Sequence, residues 1–406
     1  LEGDPYYLTW IFAVYALILF AVGLLTSIPW AVAIGALFLM GSCYQGFFMG
    51  PWKFDSAQLS SVMFLTHASV MALIAVAATR FKPQTNKLVR ITSSIIAMAV
   101  SAIVACSLLW SVIQVFVVGT PLSMGFLLWL AGLWLAVAFI EKIEGIFVAF
   151  QVVFGLLLMV LVDSYLRSRG WYEVGDLGWL QPTRLQFQGL LLSIYGIAWI
   201  LVRAFANTRS KDDEKVTFWP FDSVAVRYFN QALLAVPTVV VIYLVLYGAV
   251  PGIAQELSSQ TNGERLVPDL SSFQLGDSLI NLAHNGYTWL LLAAVAVSQI
   301  VSFTENPRRW NLAALAVVVS ASPLLVAANW YDTVSVASAT RWTYAIYFLI
   351  GSALIWFRHP IGRWIARQSW LKQRQFPRIE WFSFGVLAFF AAIPLIGMAI
   401  FVAISA

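Results

Sequence analysis

Long apolar stretches, each followed by a short polar or charged break, run along almost the whole chain. A membrane-spanning helix needs about 20 mostly apolar residues, because lipid cannot satisfy backbone N–H and C=O groups. The stretches have that length, and they lack the alternation that is typical of a transmembrane β-barrel. The pattern therefore predicts an all-α fold, a polytopic transmembrane helical bundle with residues 1–406 in a single domain.

We predict about twelve spans, separated by breaks such as FKPQTNK, TENPRRW and RHPIGRW. The predicted spans are 7–25, 28–49, 57–79, 92–118, 122–140, 145–165, 187–205, 231–250, 285–303, 310–328, 341–357 and 381–404.

Composition supports the same class of protein. Hydrophobic residues make up 61% of the chain and charged residues only 11%. A soluble domain is about half apolar and about a quarter charged, so these values exclude an ordinary soluble protein.

The lysines and arginines predict which way the bundle faces, because basic residues are retained in cytoplasmic loops. Eighteen of the 24 fall on one side of the predicted bundle. This bias puts both ends of the chain on the outer side. The six basic residues predicted to lie outside are Lys53, Arg167, Arg169, Arg184, Arg265 and Arg341.

Three segments between spans, 166–186, 251–284 and 358–380, are long enough to be more than turns. The predicted outer loops are 166–186 and 251–284, and the predicted cytoplasmic loops are 206–228 and 358–380. The last of these is basic and has tryptophan and phenylalanine among its charges, a composition typical of an interfacial segment that lies against anionic lipid. Because membrane lipid accounts for this charge, we expect no nucleic-acid partner.

Ionisable residues inside a membrane are usually functional, and this chain has few of them. His67 lies near the middle of its predicted span, and Asp163 lies near the outer end of another. An ion-coupled transporter normally needs a carboxylate at mid-membrane depth, and the sequence has none there. His67 could titrate or contact a cofactor, but the simpler interpretation is a neutral histidine that hydrogen-bonds to a neighbouring helix.

Sequence motifs for soluble chemistry are absent. The chain has no P-loop, no HExxH and no Cys-x-x-Cys motif, so we expect neither a metal nor another cofactor.

The outer face carries the most informative polar residues. Arg184 precedes the seventh span, Arg265 lies in the largest outer loop, and His284 closes that loop. Guanidinium groups bind diphosphate oxygens through forked hydrogen bonds, and an imidazole can accept the proton of an attacking hydroxyl at neutral pH. The three residues are sufficient in kind for metal-free transfer from a lipid-linked diphosphate donor.

A simpler interpretation of the same residues stays open. An outer arginine near a span end can contact lipid phosphate, and Asn281 or His284 can cap the helix that follows. The predicted outer face also holds more acidic than basic residues, which does not favour an anionic donor.

Residues 180–357 resemble the O-antigen ligase and polymerase-like family of polytopic bacterial glycosyltransferases. The likeness is carried by Thr183-Arg184 before LQFQGLLLSIYGIAWIL, by Arg265 in the largest outer loop, and by the His-Asn step that opens HNGYTWLLLAAV. The polar outer stretch in LLVAANWYDTVSVASATRWTYAIYFLIGSAL is also similar to the family pattern.

The resemblance implies a multi-pass protein of the bacterial cytoplasmic (inner) membrane that transfers a glycan from a polyprenyl-diphosphate carrier. In that case Arg184 and Arg265 would hold the diphosphate, His284 would activate or orient the acceptor hydroxyl, and Arg341 would be a further substrate-binding candidate.

Two other classes of function stay open. A transporter or lipid flippase is the common function of a twelve-span protein. A non-catalytic subunit that scaffolds other membrane proteins is favoured by LLAAVAVSQ, which stands after the histidine where the family has acidic and glycine residues. The expected partners are thus membrane lipid, a polyprenyl-diphosphate-linked glycan and, for a scaffold, other membrane subunits.

Overall fold

The structure, a computed structural model, describes residues 7–50, 56–81, 84–118, 124–172, 180–209, 223–261 and 277–305, together with scattered helical positions between 311 and 356. The regular elements in these ranges are all α-helices. They are α1 (Tyr7–Thr26), α2 (Pro29–Phe48), α3 (Ser56–Arg80), α4 (Lys87–Val118), α5 (Met124–Glu141), α6 (Glu144–Arg167), α7 (Pro182–Arg209), α8 (Val224–Thr261), α9 (Asp277–His284) and α10 (Gly286–Glu305).

Within these ranges, nine helices are long and apolar enough to cross a membrane. They are α1 to α8 and α10, and each overlaps one of the first nine predicted spans. The prediction of a polytopic helical bundle is confirmed to this extent. Described helical positions from 311 to 328 fall in the tenth predicted span, and positions 345, 349 and 356 fall in the eleventh. The twelfth span lies outside the described residues.

Several helices extend into segments that the sequence predicted to be loops. α7 already begins at Pro182, and α8 begins at Val224 and continues to Thr261. Proline suits the first turn of a helix, where its missing N–H needs no partner, so Pro182 marks the true start of α7. The predicted cytoplasmic segment 358–380 lies outside the described residues.

The chain divides into two compact units. Unit 1 comprises residues 1–181 and 209–229, and unit 2 comprises residues 182–208 and 230–406. The hydropathy pattern, from which we predicted one domain, carries no marker for this division.

Unit 1 contains three helical hairpins, in which α1 packs on α2, α3 on α4, and α5 on α6. α3 is the most enclosed helix, because half of its most apolar stretch is buried. Its buried face carries Ala68, Ala72, Ala75 and Ala78. Small residues at this spacing let neighbouring helix backbones approach closely, which is how helices pack in a membrane without a hydrophobic driving force.

His67 lies on the same buried face of α3, where its Nε2 donates a hydrogen bond of 3.0 Å to the backbone carbonyl of Ala36 on α2. The carbonyl can only accept, so this bond fixes the proton on Nε2. The interpretation of His67 as a histidine bonded to a neighbouring helix is confirmed.

Unit 2 has a described core formed by α8, α9, α10 and helical positions between 318 and 328, with residues of α7 packed against it. Val240, Leu244, Leu282 and Leu291 are among its buried members. Pro237 has no backbone N–H to donate to the carbonyl of Leu233 in α8. At the next position, the carbonyl of Leu234 accepts side-chain hydrogen bonds from Thr238 and Gln299. Membrane helices tolerate proline where neighbouring helices and hydroxyl side chains supply polar contacts around it.

Candidate functional site

The candidate site lies in unit 2, where the first turns of α7 meet the junction between α9 and α10. The sequence places Arg184 on the first turn of α7 and His284 at the last position of α9. A single residue, Asn285, separates α9 from α10. The two predicted site residues that the structure describes therefore belong to the two sides of this meeting point.

Gln186 joins the two sides. Its Nε2 donates a hydrogen bond of 2.9 Å to Oγ1 of Thr288, and its Oε1 accepts one of 3.2 Å from Nδ2 of Asn285. Gln186 and Thr288 are both buried. A buried amide that is bonded at both ends holds its neighbours in place, because breaking either bond would leave a polar group unsatisfied.

Aromatic and backbone contacts fix the same junction. The rings of Phe187 and Tyr287 lie 4.4 Å apart between centroids. The indole N–H of Trp289 donates a hydrogen bond of 2.8 Å to the carbonyl of Ala283, which closes the turn around Asn285. The exposed end of α9 is thus attached to the start of α10.

The cap of α10 is Asn285, and neither of the two predicted cap residues serves this purpose. Its Oδ1 accepts a hydrogen bond of 3.0 Å from the backbone N–H of Tyr287, the second residue of the helix. Asparagine is one of the preferred N-cap residues for this reason. His284 ends the preceding helix instead, with an exposed side chain, and Asn281 is exposed in the middle of α9.

In contrast to the exposed His284, Arg184 has a fully buried side chain. An arginine that binds a substrate diphosphate must be reached by that diphosphate, and the described packing encloses Arg184.

Next to the junction, the cavity below Thr288 has a volume of about 10 Å³, with Leu282, Leu291 and Leu325 in its wall. That volume holds one water molecule at most.

The other two predicted site residues, Arg265 and Arg341, lie outside the described residues. The structure therefore brings together the α7 turn of Arg184 and the α9–α10 junction of His284.

The sequence pattern did not indicate a structural role for the three residues that hold this junction, Gln186, Asn285 and Thr288. Two signals were available: Asn285-Gly286 is a common turn and cap dipeptide, and Gln186 is a polar residue at the start of an apolar span. In the described part of the chain, no group of three or more histidine, cysteine or acidic side chains is placed to hold a metal ion.

Comparison of the chain with models of protein families, with curated proteins and with solved structures finds no match, so the resemblance to the O-antigen ligase and polymerase-like family rests on the sequence motifs alone.

Proposed function

We propose that the protein transfers a glycan from a polyprenyl-diphosphate carrier at the outer face of a bacterial inner membrane. The observation that supports this proposal is the bond of Gln186 to both Asn285 and Thr288. Through this bond, the helix turn that carries a buried guanidinium is attached to the junction that presents an exposed imidazole.

The two groups suit different parts of such a reaction. Arg184 would bind the diphosphate of the donor, because a guanidinium in a dry environment binds phosphate oxygens strongly. His284 would accept the proton of the acceptor hydroxyl, because a general base must be reachable by the incoming substrate. The acceptor oxygen then forms the new glycosidic bond. The bond between the donor sugar and the diphosphate breaks, and the polyprenyl diphosphate leaves with its electrons.

The burial of Arg184 adds a step to this scheme. The donor would reach the guanidinium only when the residues that cover the start of α7 move aside. Closure over the bound donor would then exclude water, which would otherwise hydrolyse the activated glycan.

The proposal is tested with His284→Ala in the full chain, reconstituted in proteoliposomes that contain an undecaprenyl-diphosphate-linked oligosaccharide. Because His284 is exposed, the variant should fold and insert normally. We expect donor consumption to fall at least about 100-fold, which is the usual contribution of a general base. Asn281→Ala is the matched control, because it removes another exposed polar side chain of α9.

Donor binding gives a second measurement that does not depend on the acceptor. Arg184→Gln should weaken binding of undecaprenyl diphosphate, while His284→Ala should leave it unchanged. Normal turnover in a folded His284→Ala protein would contradict the proposal. Stoichiometric copurification of other membrane subunits with an inactive wild-type chain would favour the scaffold instead.

A further inference from the structure

A groove in unit 1 has a different character from the site in unit 2. It has a volume of about 660 Å³ and runs along one face of α4 to the turn between α5 and α6. This volume is in the range of about 300–1,000 Å³ that small-molecule sites occupy. Its wall includes Ile91, Ile95, Met98, Ala102 and Ile146, so most of it is apolar.

One end of the groove is charged. Glu141, the last residue of α5, lines it and forms an ion pair of 3.2 Å with Nε of Arg90. Ser94, also in the wall, donates a hydrogen bond of 2.7 Å to the same carboxylate. The Glu141 side chain is only 7% exposed, whereas that of Arg90 is 27% exposed. A carboxylate and a guanidinium are therefore fixed side by side at one end of the apolar groove.

The length of the groove matches one leaflet of a bilayer. From Ile91 to Ala102, α4 rises by roughly 16 Å, given about 1.5 Å per residue, and this is about half of the roughly 30 Å hydrocarbon core. The charged end lies where α4 begins and α5 ends, among the basic residues predicted to be cytoplasmic, such as Lys87 and Lys142. Ile95, in the groove wall, is exposed, so the groove is open along its side.

We infer that this groove binds one aminophospholipid of the cytoplasmic leaflet, with a headgroup of the phosphatidylethanolamine type. Such a headgroup carries an ammonium and a phosphate, and the end of the groove offers a carboxylate for the first and a guanidinium for the second. Charge-assisted hydrogen bonds of this kind are the strong ones, and a partly dry site strengthens them. An acyl chain then covers the apolar wall along α4.

Charge complementarity favours this occupant over an anionic phospholipid. A headgroup of the phosphatidylglycerol type has the same phosphate but no ammonium. The Glu141 carboxylate would then gain no partner beyond its own ion pair, and its repulsion from the lipid phosphate would not be offset. Peripheral basic residues attract any anionic lipid, but a buried carboxylate at the headgroup position selects for a cation.

The test uses native mass spectrometry of the full chain, purified and delipidated in detergent, with added palmitoyl-oleoyl phosphatidylethanolamine or phosphatidylglycerol. We expect the wild type to retain one phosphatidylethanolamine per chain in preference to phosphatidylglycerol. Glu141→Gln should lower the affinity for phosphatidylethanolamine about tenfold, the ratio expected for one lost charge-assisted hydrogen bond.

A second variant keeps the inference testable if loss of the ion pair impairs folding. Ala99→Phe fills the groove from its exposed wall and leaves Arg90 and Glu141 unchanged, so it should reduce binding of both lipids. Leu73→Phe, at an exposed position of α3 outside the groove wall, is the matched control and should bind as the wild type does. Equal retention of the two lipids by the wild type, or unchanged lipid binding in a folded Ala99→Phe protein, would overturn the inference.

Discussion

Gln186 on α7 donates a hydrogen bond of 2.9 Å to Thr288 on α10, across a separation of 102 residues in the sequence. The same side chain accepts a bond from Asn285, so a single amide connects α7 to the residue that caps α10. Everything proposed for the outer face of unit 2 depends on this connection, because it relates the turn of Arg184 to the end of α9 at His284.

Replacement of Gln186 by leucine should loosen the junction without removing either candidate reactive group. The hydroxyl of Thr288 would lose its partner in a buried place and the amide of Asn285 would lose one in a half-buried place. We expect a cost of about 1–3 kcal/mol in the free energy of unfolding. Amide hydrogen exchange should rise in the first turn of α10, and donor turnover should fall more than donor binding does.

Thr288→Val is the matched control for this variant, since it removes one of the two bonds and keeps the shape of the side chain. It should produce a smaller rise in amide hydrogen exchange, because Asn285 stays bonded to Gln186. If Gln186→Leu turns over the donor at the wild-type rate, Gln186 has no part in positioning the site.

The positions of the first nine spans could be predicted because the membrane imposes one strong rule. Any stretch of about 20 apolar residues must be helical to satisfy its own backbone, whatever it packs against. The helix ends were harder to predict. α7 and α8 continue beyond their apolar windows, because extending an existing helix adds one hydrogen bond for each residue fixed, without the cost of nucleation.

The relation between the candidate site residues could be predicted only in part. The positive-inside rule places Arg184 and His284 on the same side but says nothing of their depth. The sequence suggested two accessible groups, and the structure encloses Arg184 while it exposes His284. Burial depends on which helices pack together, and contacts such as Gln186 to Thr288 come from residues that no local pattern relates.

Asn86 should be one of the most sensitive polar positions in unit 1. Its Nδ2 donates hydrogen bonds to the carbonyls of Leu24 (3.1 Å) and Phe81 (2.7 Å), and its Oδ1 accepts one of 2.7 Å from Ser27. Asn86 is fully buried, so Asn86→Leu should lower the free energy of unfolding by about 2–4 kcal/mol. Thermal unfolding of the purified protein in detergent measures this loss.

Thr26→Val is the matched control for Asn86→Leu. Among the described residues, the Thr26 hydroxyl donates a hydrogen bond to the carbonyl of Val22 in its own helix, at an exposed position. Its loss should therefore change the stability by less than about 0.5 kcal/mol. Equal effects of the two variants would show that the bonds of Asn86 do not stabilise the α1–α2 turn.

We expect His67 to contribute to helix packing and to take no part in the reaction. Since it is buried between α3 and α2, His67→Ala should lower the free energy of unfolding by about 2–4 kcal/mol through the cavity that it leaves. His67→Gln should recover part of that loss, because an amide N–H can still donate to the Ala36 carbonyl. Donor turnover per folded molecule, measured after size-exclusion chromatography, should match the wild type in both variants. A folded His67→Gln protein without turnover would contradict this prediction and give His67 a chemical role.

Two glycines in different helices offer a paired test of how tightly the described parts of the bundle are packed. A Cβ atom added at Gly196 on α7 would overlap the side chain of Leu234 and lie 3.1 Å from its Cγ, whereas a Cβ added at Gly132 on α5 would meet nothing within 4 Å. Leu234 is itself buried and cannot move away freely. Gly196→Ala should therefore destabilise the protein by about 1–3 kcal/mol.

Gly132→Ala should be neutral or stabilise the protein by up to about 1 kcal/mol, because alanine loses less conformational freedom in a helix. Both effects are read from thermal unfolding in the same detergent. A neutral Gly196→Ala would mean that α7 and α8 do not pack as closely as the contact with Leu234 requires.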